Sequence, residues 1–552
     1  MKLHNHYGYG QLFCFSGLEG ATSRNRDFVG MMMEEPIMLR FHFDNAVTLK
    51  IPMDKNTAFK AVTGDVLDGE DFLVEFTDCN TVCGKTPVKP LVLTEEDCAR
   101  TAEGNTERIT TAEGDFYLTC IEDGAGYLFS FCYGKPADVW TEAQLFALRE
   151  KRYAYFADKP ACKEGKYEKL YNKCLSIQKE NVYAPEGVIP CRWTTPDRVP
   201  HRFLWLWDSA FHAMVFAEYD VEMAKDCIRA VLTQQREDGF IAHMMSPQGR
   251  ISEVTQPQVL AWGVWSVYQK DQDKAFLREC VPALKKFLIW TMENRDKNGN
   301  GLLEWLTEPD YLECKCGESG LDNSPRFDFD VEMDAIDFST YLCNDAKYLS
   351  WIFEEIGEKD EAVYFMNVHN SVKEKINAML WNEEDGLYYD RLFDGNHTRV
   401  ASPASFFPMF AEICTQAQAD KMVKVLLDEN RFWTALPVPT MTKDSPFYDV
   451  DMWRGCSWLN LNYFIILGLQ KYGYTEIAEE LRQRSLDAVY EWYEKTGNVF
   501  EFYDADNKIC PLHLKRKGEQ PATPDYRVHV HSITDYNWSS CFTMMMIQRL
   551  WK

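Results

Sequence analysis

The sequence predicts a mainly α protein, an (α/α)6 barrel or toroid with an N-terminal β-sandwich-like domain, and three observations carry that expectation. Short β-prone stretches separated by Gly, Asn and Asp turns fill roughly residues 8–135, while a 3.6-residue apolar period runs from residue 165 to the end. Connections between successive helical segments alternate strictly between short and long. At 552 residues the chain exceeds what one core serves, so a domain over 1–140, a linker helix over 141–164 and a catalytic barrel over 165–552 are expected.

The β-prone stretches lie at 37–43, 46–51, 72–76, 116–121 and 126–133. Twelve helices are expected near 165–181, 207–218, 221–236, 255–270, 272–295, 335–356, 359–381, 402–413, 416–428, 455–472, 474–495 and 534–551. The short connections follow the second, fourth, sixth, eighth and tenth helices, so the helices form hairpin-like pairs whose long loops gather on one face. A solenoid would alternate in the same way but should repeat in sequence, and these segments do not.

Composition narrows the function. Hydrophobic residues make up 46% and aromatic residues 14%, enough for a large core and for aromatic faces against sugar rings. A net charge of -26 opposes nucleic acid and anionic membranes as partners. The start, Met1 to Gly10, has no apolar run of a signal peptide, which predicts a cytoplasmic protein. The 18 Cys lack paired zinc spacing, with Cys314 and Cys316 an isolated C-x-C, and read as reduced thiols.

The chemistry-bearing residues concentrate in the long loops. FLWLWDSAFHA (203–213) sets Trp205, Trp207 and Asp208 where a helix begins; Asp208 suits either a helix cap or an acceptor for sugar hydroxyls. TQPQVLAW (255–262) places Gln256 and Trp262 at the next inner helix, with Pro257 suited to its first turn. ESGLDNSPRFD (318–328) packs Glu318, Asp322, Arg326 and Asp328 into one turn-rich loop, a density of ionisable groups suited to proton transfer. DVDMWRGCSWLNLNYF (449–464) carries Trp453, Arg454 and Trp458, where the arginine fits a polar substrate or a loop carboxylate. In NVFEFYD (498–504) Glu501 stands between Phe500 and Phe502, a pattern equally suited to a strand and to a dry catalytic carboxylate.

With these residues laid out, the helical part, roughly 190–552, resembles glycoside hydrolase family 63 and, more distantly, the trehalase family. ESGLDNSPRFD resembles the general-acid motif with Asp322 as the acid, and WDSAF, QPQ, MWRG and NWSS (537–540, containing Trp538) occur around it in the expected order. Glu501 corresponds to the general base by a looser match. Gln258 departs from the usual second proline of QPP, and Cys456 and Leu459 depart after Arg454.

The resemblance implies an inverting, exo-acting hydrolysis of an α-linked terminal sugar, glucose before mannose, from a small glycoside or oligosaccharide. Asp322 would then need a proton near neutral pH, with Glu318 the nearest neighbour in sequence to raise its pKa. Trp205, Trp207, Asp208, Gln256, Trp262, Arg326, Trp453, Arg454 and Trp538 are the candidates for holding the sugar. No cofactor is expected for the chemistry. DKNGNGLLE (296–304) has the spacing of the front half of a calcium loop or of an Asn-Gly turn. The resemblance favours a structural Ca2+ held by Asp296, Asn298, Asn300, Leu302 and Glu304, completed by Glu384. An α-L-rhamnosidase-like hydrolase, a sugar epimerase working through histidines such as His201, His212 and His243, and a non-catalytic carbohydrate binder stand as alternatives. A further expectation is that a loop such as 17–29 closes over the pocket.

Overall fold

The computed structural model describes residues 13–16, 38–41, 47–51, 59–62, 66–78, 80–94, 98–111, 114–197, 201, 203–307, 314–328, 332–518 and 531–551. The loop at 17–29 lies outside them.

Two antiparallel sheets form the N-terminal part. The first has the order β1 (Phe13–Ser16), β2 (Met38–Phe41), β3 (Val47–Lys50) and β8 (Leu91–Thr94). The second runs β4 (Phe59–Val62), β5 (Val66–Gly69), β6 (Leu73–Asp78), β7 (Thr81–Thr86), β12 (Gly126–Tyr133), β11 (Gly114–Asp123), β10 (Thr106–Thr111) and β9 (Ala99–Glu103). Val47 and Leu49 of the first sheet share one core with Val74, Phe76, Ile109, Phe129 and Phe131 of the second, the face-to-face arrangement that alternating strands produce. Helix α1 (Glu142–Ala157) packs on β6 and β7, and Leu145 joins a small cluster with Leu73 and Cys83.

Among the described residues twelve α-helices follow. Six are reached by long loops: α3 (Leu206–Phe216), α5 (Leu260–Asp271), α7 (Ile336–Ile356), α9 (Phe407–Phe410), α11 (Leu459–Lys471) and α13 (Asn537–Gln548). The other six are α2 (Glu168–Glu180), α4 (Val221–Leu232), α6 (Lys274–Asn294), α8 (Lys359–Met379), α10 (Gln416–Leu426) and α12 (Thr475–Thr496). Along the first set each helix packs on the next, α3 on α5, α5 on α7, α7 on α9, α9 on α11, α11 on α13, and α13 returns to α3.

Burial separates the two sets. Every residue of α3 and of α13 is buried, as expected of helices surrounded on all sides. In α12 the buried residues fall on one stripe, Ala478, Leu481, Arg482, Ser485, Leu486 and Val489, with charge on the other face. Close approach within the inner set depends on Gly468 of α11, where an added Cβ would stand 2.6 Å from the Cβ of Met409.

Helix starts depart from the sequence expectation for identifiable reasons. The fourth inner helix is a single α turn led by a 3-10 turn at Pro403–Phe406, because Pro403 and Pro408 withhold backbone donors. Helix α5 begins at Leu260, so Pro257 lies before it; the buried carboxylate of Asp345, from α7, accepts the Ala261 and Trp262 N–H groups at 2.9 Å each. Among the described residues no helix is long and apolar enough to cross a membrane, and the described cysteine side chains are free thiols.

Candidate active site

Short backbone ladders bring the long loops together at one end of the inner helices. Leu204 and Trp205 pair with Met245 and Met244, and Ser457 bridges both Pro439 and Tyr503. Phe500 bridges Thr534, and the Glu501 N–H donates to Ile533 O at 2.9 Å. The stretch around Glu501 is thus extended, and its side chains alternate. Phe500 and Phe502 enter the core, Phe502 stacking on Trp458 at 5.2 Å, while Glu501 faces a cavity on the other side. The segment is thus strand-like, with the Glu501 side chain on the cavity side and Phe500 and Phe502 in the core.

That cavity, about 230 Å³, is small beside the ~300–1,000 Å³ usual for ligand pockets. Asp322 and Glu501 both line it, with Trp205, Trp207, Asp208, Gln256, Trp453 and Trp538. The indoles pack as a unit: Trp538 meets Trp207 edge-on at 4.7 Å, and Trp453 stacks on Trp458 at 3.5 Å. Gly320, at φ 70°, lets the 318–328 loop pass beside Trp207; a Cβ there would lie 2.4 Å from the indole. Among the described residues, three buried polar atoms on this wall have no hydrogen-bond partner: Asp208 Oδ1, Trp453 Nε1 and Trp538 Nε1. One acceptor and two donors are the complement of sugar hydroxyls.

Asp208 does not cap α3. The Trp207 N–H donates instead to Gln256 Oε1 at 3.1 Å. Burial pushes the Asp208 carboxyl up to about 8, aided by the nearby charges of Asp197 and Glu501 and opposed by its own backbone N–H.

Two cations that the sequence reasoning did not single out complete the wall. Arg516 donates from Nε to Glu501 Oε2 at 3.1 Å, and Lys517 Nζ lies 2.7 Å from Asp322 Oδ2. Their signal was present as three consecutive cations, Lys515 to Lys517, in a chain of net charge -26. Burial alone would raise the Asp322 carboxyl, but Lys517, then Arg516 and His243, outweigh it and hold the group below the usual carboxylate range. The expectation that Glu318 raises it is corrected. Glu318 is buried and spent on Arg295 at 2.7 Å and on the N–H groups of Thr255 and Leu306.

His201, His243 and Tyr536 also reach the cavity. His201 Nδ1 bonds Asp197 at 2.6 Å, and His243, pushed down to about 4 by burial, bonds Ser252 Oγ at 2.5 Å. His212 is buried against Thr194, away from it.

Three expected sugar-holding residues lie off the cavity. Trp262 is in the core between Tyr348, Phe410, Phe464 and Phe211, because the inner ring needs a large apolar side chain there. Arg326 is buried between Asp337 and Asp390, donating to them at 2.8 and 2.7 Å. Arg454 clamps Asp328 at 3.0 and 2.6 Å and the Asn323 carbonyl at 3.1 Å, which ties the 449–458 loop to the loop bearing Asp322.

At the expected calcium loop, Gly301 N–H donates to Asp296 Oδ2 at 2.9 Å and Lys297 N–H to Glu304 Oε2 at 2.7 Å. Asn298 and Asn300 direct Nδ2 to Asp334, while the Leu302 N–H bonds Asn300 Oδ1 and the Leu302 side chain is buried. Glu384 is corrected: it is exposed and paired with Arg399 at 2.8 Å. The acidic partner present is Asp334, which bridges Glu304 through the backbone. Among the described residues no three His, Cys, Asp or Glu side chains are grouped to hold a metal.

Comparison with known proteins places this arrangement. The family model for the mannosylglycerate hydrolase MGH1-like glycoside hydrolase domain matches residues 201–539. A Borreliella burgdorferi protein of uncharacterised function is 28% identical over 251 residues, 44% of this chain and half of that protein. Mannosylglycerate hydrolase MGH1 of Selaginella moellendorffii is 25% identical over 402 residues, 58% of this chain and 78% of that one. The crystal structure of the GH63 mannosylglycerate hydrolase from Thermus thermophilus with Tris superposes at a TM-score of 0.56 over 68% of this chain and 99% of that one; at 21% identity this likeness is one of fold. With the family model covering more than half of its residues, the chain belongs to the MGH1-like glycoside hydrolases of family 63.

Proposed function

We propose that this chain is an inverting, exo-acting hydrolase that removes one terminal α-linked hexose, glucose or mannose, from a small aglycone bearing an acid group. The observation that carries this reading is that Asp322 and Glu501, distant in sequence, line one small cavity with sugar-complementary groups. Asp322, once protonated, gives its proton to the glycosidic oxygen as the bond to the anomeric carbon breaks. A water attacks that carbon from the opposite face and loses its proton to Glu501, whose carboxylate Arg516 orients. Asp208 and the Trp453 and Trp538 indole N–H groups take the sugar hydroxyls, and Trp205, Trp207 and Gln256 bound the ring. The acid group is supported by Arg516 and Lys517 facing the cavity of an otherwise acidic chain, and by the mannosylglycerate in the relatives' names.

The closed order of contacts among the inner helices supports an (α/α)6 barrel over 165–552, after a β-sandwich-like domain at 1–140 and a linker at 141–164. A reducing, cytoplasmic setting fits the many buried thiols. At 296–304, Asp296 Oδ1 and Glu304 Oε1, buried and without a hydrogen-bond partner among the described residues, are two oxygens of the kind a hard cation takes, beside the Asn298 and Asn300 side chains that Asp334 holds. Such an ion would stiffen the loop and take no part in bond breaking.

The test is incubation with α-mannosylglycerate, α-glucosylglycerate, neutral α-glucosides and an α-rhamnoside, following the first anomer by NMR. The β-hexose should appear first; an α-anomer, rhamnose alone or no release overturns the proposal. Asp322→Asn and Glu501→Gln should each lower kcat by about 10²–10⁴-fold with unchanged circular dichroism.

A further inference from the structure

A cation stands beside Asp322 and favours its carboxylate form, whereas a proton donor must carry a proton. Lys517 Nζ stands 2.7 Å from Asp322 Oδ2 inside the cavity. The backbone that delivers this lysine is pinned. Asp451 bridges Lys515, whose Nζ pairs with Asp449 at 2.9 Å, and the Gly518 N–H donates to Asp451 Oδ2 at 2.8 Å. Lys517 itself adopts φ 55°, a left-handed conformation that a lysine rarely takes, followed by Gly518 at φ 84°. The turn aims one flexible four-carbon stem at one carboxylate.

We propose that Lys517 is a substrate-responsive latch: its ammonium holds Asp322 as a carboxylate until an anionic group on the leaving aglycone draws the ammonium away and lets Asp322 take up the proton it donates. The inference rests on the reading of Asp322 as proton donor. Among the described residues, the groups acting on Asp322 are Lys517 and Arg516 from the pinned segment and His243 from the loop after α4, while Cys314 acts on Lys517. Glu501, Asp208, His201 and Tyr536 stand elsewhere on the cavity wall.

Arg516 is engaged by Glu501, whereas Lys517, among the described residues, is the cation paired with Asp322. Burial acts on Asp322 in the opposite direction to the lysine, and with the ammonium turned to another anion it favours the neutral acid. One proton enters from solvent as the complex forms, passes to the glycosidic oxygen and leaves on the aglycone hydroxyl. Water supplies the hydroxyl on the sugar, and its remaining proton leaves through Glu501. Once the aglycone departs, Asp322 returns to Lys517 as a carboxylate.

The device makes the acid group of the substrate a determinant of turnover and not of binding alone. The experiment compares α-mannosylglycerate with its neutral counterpart α-mannosylglycerol, and the corresponding glucosides, on wild type and Lys517→Met across pH. In wild type the glycerate should exceed the glycerol compound in kcat by about 10- to 100-fold, the range expected of a close buried charge pair. The basic limb of kcat should lie at higher pH than that of kcat/KM, since the first reports the complex and the second the free enzyme. Lys517→Met should raise kcat on the neutral compound, raise KM for the glycerate and bring the two limbs together. Equal kcat for both aglycones in wild type, or coincident limbs, overturns the latch even if the variant does not fold. So does a variant that loses both substrates by the same factor. Retained activity in Asp322→Asn instead removes the proton-donor reading beneath it.

Discussion

Asp322 and Arg326 stand four residues apart in one loop, yet one lines the cavity and the other is buried behind it between Asp337 and Asp390. Glu318, in the same loop, is likewise buried on Arg295. The cavity wall and its backing are therefore built from the same residue types with opposite degrees of completion. Behind the wall, acid and base are matched by hydrogen bonds, as buried charges must be. On the wall, Asp208 Oδ1 and the Trp453 and Trp538 indole N–H groups are left without partners among the described residues. A charge cluster in sequence signals a demanding electrostatic environment; only its partners in space tell whether the demand is met by the protein or left for a ligand.

The largest effect expected from this contrast is on stability. Arg326→Met strands Asp337 and Asp390 in the core and should cost about 3–5 kcal/mol, read as a fall in melting temperature, with KM of the remaining folded enzyme unchanged. A raised KM at unchanged melting temperature would move Arg326 into the site and break the comparison.

Asp208→Asn sharpens it from the other side. Because the folded carboxyl titrates near 8 while the unfolded one titrates near its ordinary value, the native state binds more protons between about pH 4 and 8, and Asp208 loses stability as pH rises through that window. The amide has no such dependence, so the variant should melt no lower than wild type at pH 7 and show a flatter stability profile from pH 4 to 8. Turnover should nonetheless fall by about tenfold or more, since the sugar loses a carboxyl partner whose place an amide does not fill equivalently. A variant that melts lower and turns over normally would make Asp208 part of the scaffold.

The same distinction explains what the sequence could reveal. Helix pairing was legible because alternation of connection length and the all-apolar faces of segments such as 206–216 are local properties. Eight of the expected catalytic and sugar-holding residues meet at the cavity, because helix starts and loop strands deliver them there: Asp322, Glu501, Trp205, Trp207, Asp208, Gln256, Trp453 and Trp538. Trp262 was not separable from them, since a tryptophan one turn into an inner helix reads alike whether it faces ligand or Phe464. Arg516 and Lys517 were missed because their roles exist only through contacts with Glu501 and Asp322, which chain order does not express. Glu384 was chosen over Asp334 for want of the bridge that sets Asp334 beside Glu304.

That last substitution of partners yields the smallest prediction. The 296–304 loop sits between wall and backing in character: most of its polar groups are satisfied, with Asn298 and Asn300 bonding Asp334, but Asp296 Oδ1 and Glu304 Oε1 are buried and bare. Burial raises the Glu304 carboxyl to about 8, which a bound divalent cation would reverse by supplying the missing charge. Millimolar Ca2+ should therefore raise the melting temperature, through a stability gain of RT ln(1 + [L]/Kd) or about 2.7 kcal/mol at a hundredfold excess over Kd, and chelator should remove the gain. Asp334→Asn should abolish the Ca2+ response, whereas Glu384→Gln should leave it intact, because Glu384 is engaged with Arg399 at the surface. Loss of the response in Glu384→Gln, or its persistence in Asp334→Asn, would mean that the bare oxygens of this loop serve something other than a cation.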